Sequence, residues 1–320
     1  MKAIRVHEYG GPEVLRLEEI PCPSPGQGQV LVKVSAVGVN PVDTYFRSGS
    51  NPSLSLPYVP GLDAAGTVAA VGQGVCSLSP GNRVYVGGNL SGAYAEYVLS
   101  TESQAHRLPD RLTFAQGAAI GVPYATAYRA LFHRAATRAG EFVLVHGASG
   151  GVGLAAVQFA RASGFRVAGT AGTEKGCRLV LDHGVEAVLD HHAPDFEKAA
   201  LALTEGRGFD VIIEMLANVS LGKVLPLLSR NGRVIVVGSR GRVEITPRDL
   251  MFREADVRGM SLFNVGDLEL AGIHRAIGAG LTTGILQPVI AQVFSLSDAS
   301  RAHEAVLAPG ALGKIVLAIE

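Results

Sequence analysis

Within the segment Leu144–Ala156, LVHGASGGVGLAA, four glycines fall in seven positions, Gly147, Gly150, Gly151 and Gly153. The run Phe142–Val145 ahead of them reads as a buried strand, and Val152–Ala162 after them as a helix with its apolar positions on one stripe. Strand, glycine turn and helix in that order form a seat for a pyrophosphate. Gly147 permits the sharp turn, Gly150 and Gly151 leave room for backbone beside phosphate oxygens, and Gly153 lets the helix pack close on the strand. The N–H groups and dipole at the helix start favour the anion. A glycine triplet alone is weak, and the flanking strand and helix supply the context that the motif needs. The alternative is a glycine-rich packing turn without a ligand.

In a dinucleotide fold the next strand usually ends in Asp or Glu, which holds the adenosine ribose hydroxyls. Here Arg166–Thr170 runs into Ala171-Gly172-Thr173-Glu174-Lys175-Gly176, with no acid at the strand end. Small residues leave space for a 2′-phosphate, and Lys175 and Arg178 on the following helix attract it, so the reading is NADP(H) rather than NAD(H). Glu174 falls in the first turn of that helix, where it serves the dipole. Asp210–Glu214 and Arg233–Val237 read as the fourth and fifth strands. They end at Met215-Leu216-Ala217-Asn218 and Gly238-Ser239-Arg240-Gly241, where the carboxyl ends of parallel strands surround a ligand. Glu214 is open to two readings, ligand contact or buried ion-pair partner.

The elements that must position these residues change character along the chain. Before residue 120, short β-rich runs at 3–7, 30–37, 66–71, 83–86 and 94–99 are separated by Pro and Gly clusters, which predicts a compact, partly closed all-β module. A helical pattern starts near Thr113 and resumes over Tyr124–Thr137. From Phe142 strands at 142–146, 166–170, 187–190, 210–214, 233–238 and 258–263 alternate with helices at about 151–164, 174–183, 195–205 and 219–229. That alternation predicts an α/β doubly wound parallel sheet. A helix, strand Val289–Phe294, a helix near 298–307 and strand Lys314–Ile319 close the chain and are expected to rejoin the β module. The division expected is residues 1–122, completed by 265–320, and residues 123–264.

Bulk properties narrow the function classes. The 320 residues suffice for two domains, each with its own core. No apolar run approaches the roughly 18–20 residues that span a bilayer, and Glu8, Glu13, Arg16, Glu18 and Glu19 make the first twenty residues unlike a signal peptide. A soluble, cytoplasmic protein is expected. Lys plus Arg and Asp plus Glu are 28 each, so net charge is zero and there is no electrostatic footprint for nucleic acid or an anionic membrane. Cys22, Cys76 and Cys177 form neither a disulfide framework nor a zinc pattern.

The segments GVNPVDTYFRSG (38–49), GAAIGVPYATAYRAL (117–131), LVHGASGGVGLAA (144–156), GTAGTEKG (169–176), IIEMLANVS (212–220) and GRVIVVGSRG (232–241) closely resemble the zeta-crystallin-like quinone oxidoreductase family, in the medium-chain dehydrogenase/reductase superfamily. The resemblance runs the length of the chain. It implies a GroES-like catalytic domain, a Rossmann domain, and NADPH held in a cleft between them. The family's cofactor positions carry over to Tyr45, Ser149, Gly150, Gly151, Val152, Gly172, His191, Ser220, Val237, Gly238, Ser239, Arg240, Met260, Ser261 and Leu262. Ser220 departs from the family's asparagine. Lys175 replaces an acidic residue, which adds a cation for the 2′-phosphate.

Zinc alcohol dehydrogenases of the superfamily have a cysteine ligand where this chain has Asn40. Their Gly-His-Glu is Gly61-Leu62-Asp63 here, and their four-cysteine lobe is missing, so no metal is expected. Without one, catalysis is expected to rest on holding the nicotinamide against a flat, electron-poor acceptor. Asn40, Asp43 and Tyr45 are the candidates, placed on a loop after a β-module strand. Tyr45 is suited to nicotinamide or quinone, Asn40 to donating to a carbonyl oxygen, and Asp43 to orienting its neighbours. Turn chemistry around Pro41 is the alternative for Asn40 and Asp43. The expected function is NADPH-dependent, zinc-independent quinone reduction, by one- or two-electron transfer. The alternatives are reduction of enone or alkenal double bonds, or an AU-rich-RNA-binding or structural, crystallin-like role. A homodimer or homotetramer is expected, paired through an edge strand near Gly259–Phe263.

Overall fold

The computed structural model describes residues 1–50 and 54–319. The chain forms two compact units, one of Met1–Val122, His274–Pro309 and Gly313 onward, the other of Pro123–Ile273 with Gly310–Leu312.

The first unit opens with β1 (Lys2–Val6) and β2 (Leu15–Glu19), an antiparallel pair. Next come β3 (Gln29–Val39), helix α1 (Pro41–Arg47), β4 (Asp63–Val71), β5 (Arg83–Gly87), β6 (Tyr97–Thr101), β7 (Ala105–Arg107) and helix α2 (Phe114–Ala118). The eleven-residue β3 is largely buried and pairs antiparallel with both β4 and β6. Its register against β4 shifts twice, at Leu31/Val32 and Val34/Ala36, and such irregularities bend a strand enough to curl its sheet. Periodicity did not reveal β2 or β7. LRLEE offers only two apolar residues, of which Leu17 is exposed, and β7 has three residues in all.

The second unit begins within α3 (Gly121–Tyr128), at Pro123, and continues into a six-residue π-helical turn, Arg129–Arg134. It continues through β8 (Phe142–His146), α4 (Gly151–Ala162), β9 (Arg166–Ala171), α5 (Glu174–Asp182), β10 (Ala187–Asp190), α6 (Phe196–Leu203), β11 (Phe209–Glu214), α7 (Ala217–Val224), β12 (Leu228–Val236), α8 (Pro247–Met251) and β13 (Asp256–Gly259). The six strands form one all-parallel sheet in the order β10-β9-β8-β11-β12-β13. Every residue of β8 is buried, as an interior strand covered on both faces requires. The winding reverses between β8 and β11, and ligands of such sheets bind outside the carboxyl ends of the strands at that crevice.

After α9 (Asp267–Thr283) the chain adds β14 (Ile290–Ser295), α10 (Ala299–Ala305) and β15 (Lys314–Ala318) to the first unit. β15 pairs antiparallel with β3 and parallel with β14, giving the sheet order β14-β15-β3-β4-β5-β7, with β6 also on β3. The expected doubly wound sheet and β-rich module are therefore both present.

Three expected boundaries move. The helix expected over 219–229 stops at Val224 because Pro226 lacks a donor, and β12 starts at Leu228. The helix expected over 124–137 widens into the π turn, where Arg129 and His133 both reach Glu269 Oε1, at 2.9 and 2.7 Å. The strand expected over 258–263 ends at Gly259, and Leu262–Asn264 is a 3-10 turn. Among the described residues no helix is long and apolar enough to cross a membrane.

Candidate functional site

Gly147 leaves β8 at φ +83°, a conformation that L side chains rarely adopt, and α4 begins four residues later at Gly151. A Cβ on Gly153 would stand 2.4 Å from Gly147 O and 2.6 Å from Ala148 Cα, so only glycine lets α4 lie this close to the turn. A Cβ on Gly150, in contrast, would meet nothing closer than 3.8 Å, leaving open space in front of the helix start. Ser149, Gly150, Gly151 and Val152 thus line an open, glycine-rich helix start, the kind of place at which backbone N–H groups can face an anion.

Thr170 in β9, which sequence reading passed over, ties this turn to its neighbours. Its Oγ1 accepts from Gly147 N at 2.9 Å and lies 3.2 Å from Nδ1 of both His146 and His191. β9 ends at Ala171, so Gly172 and Thr173 follow with no carboxylate. Thr173 caps α5 by accepting from Gly176 N at 3.1 Å. Lys175 is exposed in the first turn of α5, and Arg178 is exposed one turn on. The imidazoles of His191 and His192 both flank Gly172, with Nε2 atoms 2.8 and 2.6 Å from where its Cβ would be. His192, which reads in sequence as an ordinary loop residue, borders the same spot.

The remaining candidates stand at the next strand ends. Val237 N donates to Glu214 O at 2.9 Å, Gly238 O accepts from Ala217 N, and Arg240 N donates to Asn218 Oδ1 at 2.8 Å. Ser239 Oγ donates within its own turn, to Gly241 O at 3.0 Å. Met260 N donates to Val236 O, Ser261 O accepts from Arg129 at 2.8 Å, and Leu262 starts the 3-10 turn. Two of the singled-out residues meet each other here. Ser220 is buried and its hydroxyl meets Glu214 Oε1 at 2.8 Å, so that side chain serves Glu214. Glu214 has no ion-pair partner among the described residues. Its Oε1 accepts from Leu216 N and Ser220, its Oε2 is buried and unpartnered among the described residues, and burial pushes its carboxyl up.

In the first unit, Asn40 and Asp43 do not lie on a loop: Asn40 is the N-cap of α1 and Asp43 sits in its first turn. Asn40 N donates to Asp43 Oδ2 at 2.8 Å, one half of a capping box. The Asn40 side chain points into a buried cluster instead of outward. Lys314 Nζ, at the head of β15, donates to Asn40 Oδ1, and Asn40 Nδ2 donates to Asp63 Oδ2 at 2.9 Å. Lysine can only donate and a carboxylate only accept, so these two partners determine which way round the amide stands. Asn40 is 2 % exposed, Asp63 0 % and Lys314 4 %, which corrects the expected role of Asn40 as donor to a substrate carbonyl. Asp63 Oδ1 accepts from Val122 N at 2.8 Å. Tyr45, two residues beyond Asp43, is half-buried.

A second chain of bonds runs from Asp43 to the far end of α1. Arg47 donates to His303 Nδ1 at 3.3 Å, since guanidinium has no acceptor, so His303 carries its proton on Nε2. Nε2–H then donates to Tyr94 Oη at 3.0 Å, and Tyr94 O–H donates to Asp43 Oδ2 at 3.2 Å. Burial and the nearby Arg47 push His303 down to about 3, which keeps it neutral. Because guanidinium does not give up a proton, this chain orients Asp43 and does not conduct protons to it. A cavity of about 490 Å³ in the same unit is lined by residues that include Asp43, Phe46, Tyr58, Pro60, Leu62 and Asn89.

Burial pushes the Asp43 carboxyl up to about 7, against the opposing pull of its bond from Asn40 and of Lys314. A carboxyl with a raised folded pKa stabilises the fold most below its unfolded value and loses that contribution as pH rises through about 7. Asp43→Asn removes the titration. The stability difference, variant minus parent, is therefore expected to grow more favourable by about 2 kcal/mol between pH 5.5 and 8.5. Urea denaturation at the two pH values checks it, and a difference that does not vary with pH contradicts a titrating Asp43.

The profile of the alcohol dehydrogenase GroES-like domain matches residues 26–110, and that of the zinc-binding dehydrogenase matches residues 151–274. Quinone oxidoreductase of Lama guanicoe is 52% identical over 324 residues, covering 100% of this chain and 98% of that protein. Human quinone oxidoreductase is 50% identical over 320 residues, covering 99% and 97%. Among solved structures, Escherichia coli quinone oxidoreductase in complex with NADPH superposes with a TM-score of 0.88 at 30% identity, over 100% of both chains. The donor set does not suit the zinc in the second profile's description. Among the described residues no three His, Cys, Asp or Glu side chains gather to hold a metal, and the cation beside Asn40 and Asp63 is the chain's own lysine.

Proposed function

Because the chain belongs to the quinone oxidoreductase family of the medium-chain dehydrogenase/reductase superfamily, we propose that it binds NADPH and transfers reducing equivalents from it to a quinone. The observation that carries this reading is the end of β9. β9 runs into Gly172 and Thr173 without the carboxylate that would hold a ribose 2′-hydroxyl, and Lys175 offers a cation beside Glu174 in the first turn of α5. The pyrophosphate is assigned to the cradle Ser149–Val152. The rest of the cofactor follows the strand ends through Gly172, His191, Val237–Arg240 and Met260–Leu262. Bound NADPH supplies the hydride, so the protein's task is to bind, orient and exclude.

On this reading Tyr45 contacts the cofactor, while Asn40 and Asp43 hold its helix in place. The acceptor is assigned to the cavity beside Asp43, Phe46 and Tyr58, whose largely apolar wall suits a flat ring. Residues 123–264 act as the cofactor domain and residues 1–122 with 265–320 as the catalytic domain. The protein is taken to pair with a second copy along β13, one of the two edges of the parallel sheet, where Val257 is exposed. A monomeric mass by light scattering would reject that pairing.

The test is a fluorescence titration with NADPH and NADH, followed by initial rates with 1,4-benzoquinone, 9,10-phenanthrenequinone and a short enone. Tight NADPH binding with quinone-dependent oxidation is expected. Turnover of the enone alone would replace the quinone by an activated double bond, and no binding of either nucleotide would overturn the reading.

A further inference from the structure

We propose that Lys314 is a positioning residue for cofactor binding: its buried ammonium fixes Asn40, and through Asn40 the helix α1 that carries Tyr45. The proposal rests on the assignment of Tyr45 to the cofactor. Two carboxyls, Asp43 and Asp63, and one amide, Asn40, are buried together, and the cation that compensates them comes from the last strand of the unit. Lys314 Nζ contacts Asn40 Oδ1 and lies 3.4 Å from Asp63 Oδ2, while Asn40 Nδ2 closes the triangle at 2.9 Å from that same oxygen. Asn40 is at once the corner of this triangle and the N-cap of α1, with its backbone N–H on Asp43. Loss of the ammonium leaves Asn40 Oδ1 without its donor and frees the amide to turn, which loosens the first turn of α1. The chain from Arg47 through His303 and Tyr94 still holds Asp43, so the expected consequence is a misplaced helix and not a lost one.

Removing Lys314 alone would strand a buried carboxylate, so the informative variant is the neutral pair Asp63→Asn with Lys314→Met. It is measured in a cycle with Tyr45→Ala, reading NADPH affinity by fluorescence and folding by thermal melting. With Tyr45 present, the pair is expected to raise the Kd for NADPH about tenfold while the protein still melts cooperatively. With Tyr45→Ala in place, the same pair is expected to change Kd less than twofold, because the residue it positions is gone. Equal changes in both backgrounds would mean that Lys314 acts only on general stability, and would overturn the proposal. A pair with unchanged affinity, or a Tyr45→Ala variant that binds NADPH like the parent, would overturn it as well. Should the neutral pair fail to fold, Lys314→Arg is taken through the same cycle. It keeps the charge on a longer side chain, so about a threefold change with Tyr45 and none without it is expected, and equal changes again overturn the proposal. A parent that binds no NADPH counts against the proposed function, a result the cycle separates from these.

Discussion

Replacing Gly153 with valine is expected to abolish measurable NADPH binding and to destabilise the protein by about 3 kcal/mol. The added Cβ would sit 2.4 Å from the carbonyl oxygen of Gly147 and 2.6 Å from Ala148 Cα, both backbone atoms that cannot swing aside. Relief requires α4 to withdraw from β8, which carries the helix start away from the phosphate position and opens a gap over buried Leu144 and Val145. Gly278 in α9 provides the contrast. A Cβ there meets nothing within 4 Å, so Gly278→Ala is expected to stabilise by about 0.5–1 kcal/mol through helix propensity alone and to leave cofactor affinity unchanged. Urea denaturation and NADPH titration of the two variants check both signs. Normal NADPH affinity in Gly153→Val would mean that the turn is a packing device and not the pyrophosphate seat.

Lys175→Glu is expected to weaken NADPH by about thirtyfold or more while leaving NADH within about twofold. A hydrogen bond to a charged group contributes about 1.5–3 kcal/mol, and reversing the charge adds repulsion. The side chain is exposed in the first turn of α5, so the fold is expected to tolerate the change. The measurement is the ratio of the two dissociation constants at one ionic strength, since salt screens such a contact. If both nucleotides weakened equally, Lys175 would be touching something other than the 2′-phosphate, and the choice between the nucleotides would lie with Gly172, His191 or His192.

The two halves of the candidate site differ in how they are written into the chain. The candidate phosphate seat lies within seven consecutive residues, and the conformations it needs, a left-handed Gly147 and a Cβ-free Gly153, are properties of glycine itself. The missing acid after β9 is likewise a local absence that can be read directly. Alternation of apolar runs with helical stripes was enough for the parallel sheet, because its interior strands β8, β9 and β11 are buried along nearly their whole length. Local signals also misled. Asn40-Pro41 looked like a loop although Pro41 is the first residue of a helix, a position where its missing N–H costs nothing. Ser220, carried over from the family's cofactor positions and not from a local signal, has its hydroxyl on Glu214.

The amino-acid sequence by itself thus determined the two-part architecture and the glycine turn between β8 and α4, and it named the candidates on α1. Only the tertiary structure decided which partners those candidates have. Lys314 is 274 residues from Asn40 and Asp63 is 23, and His303 is 209 from Tyr94. No period or spacing joins residues so far apart. They meet because β15 pairs with β3 and α10 packs near α1, and burial then obliges each donor and acceptor to find the partner within reach.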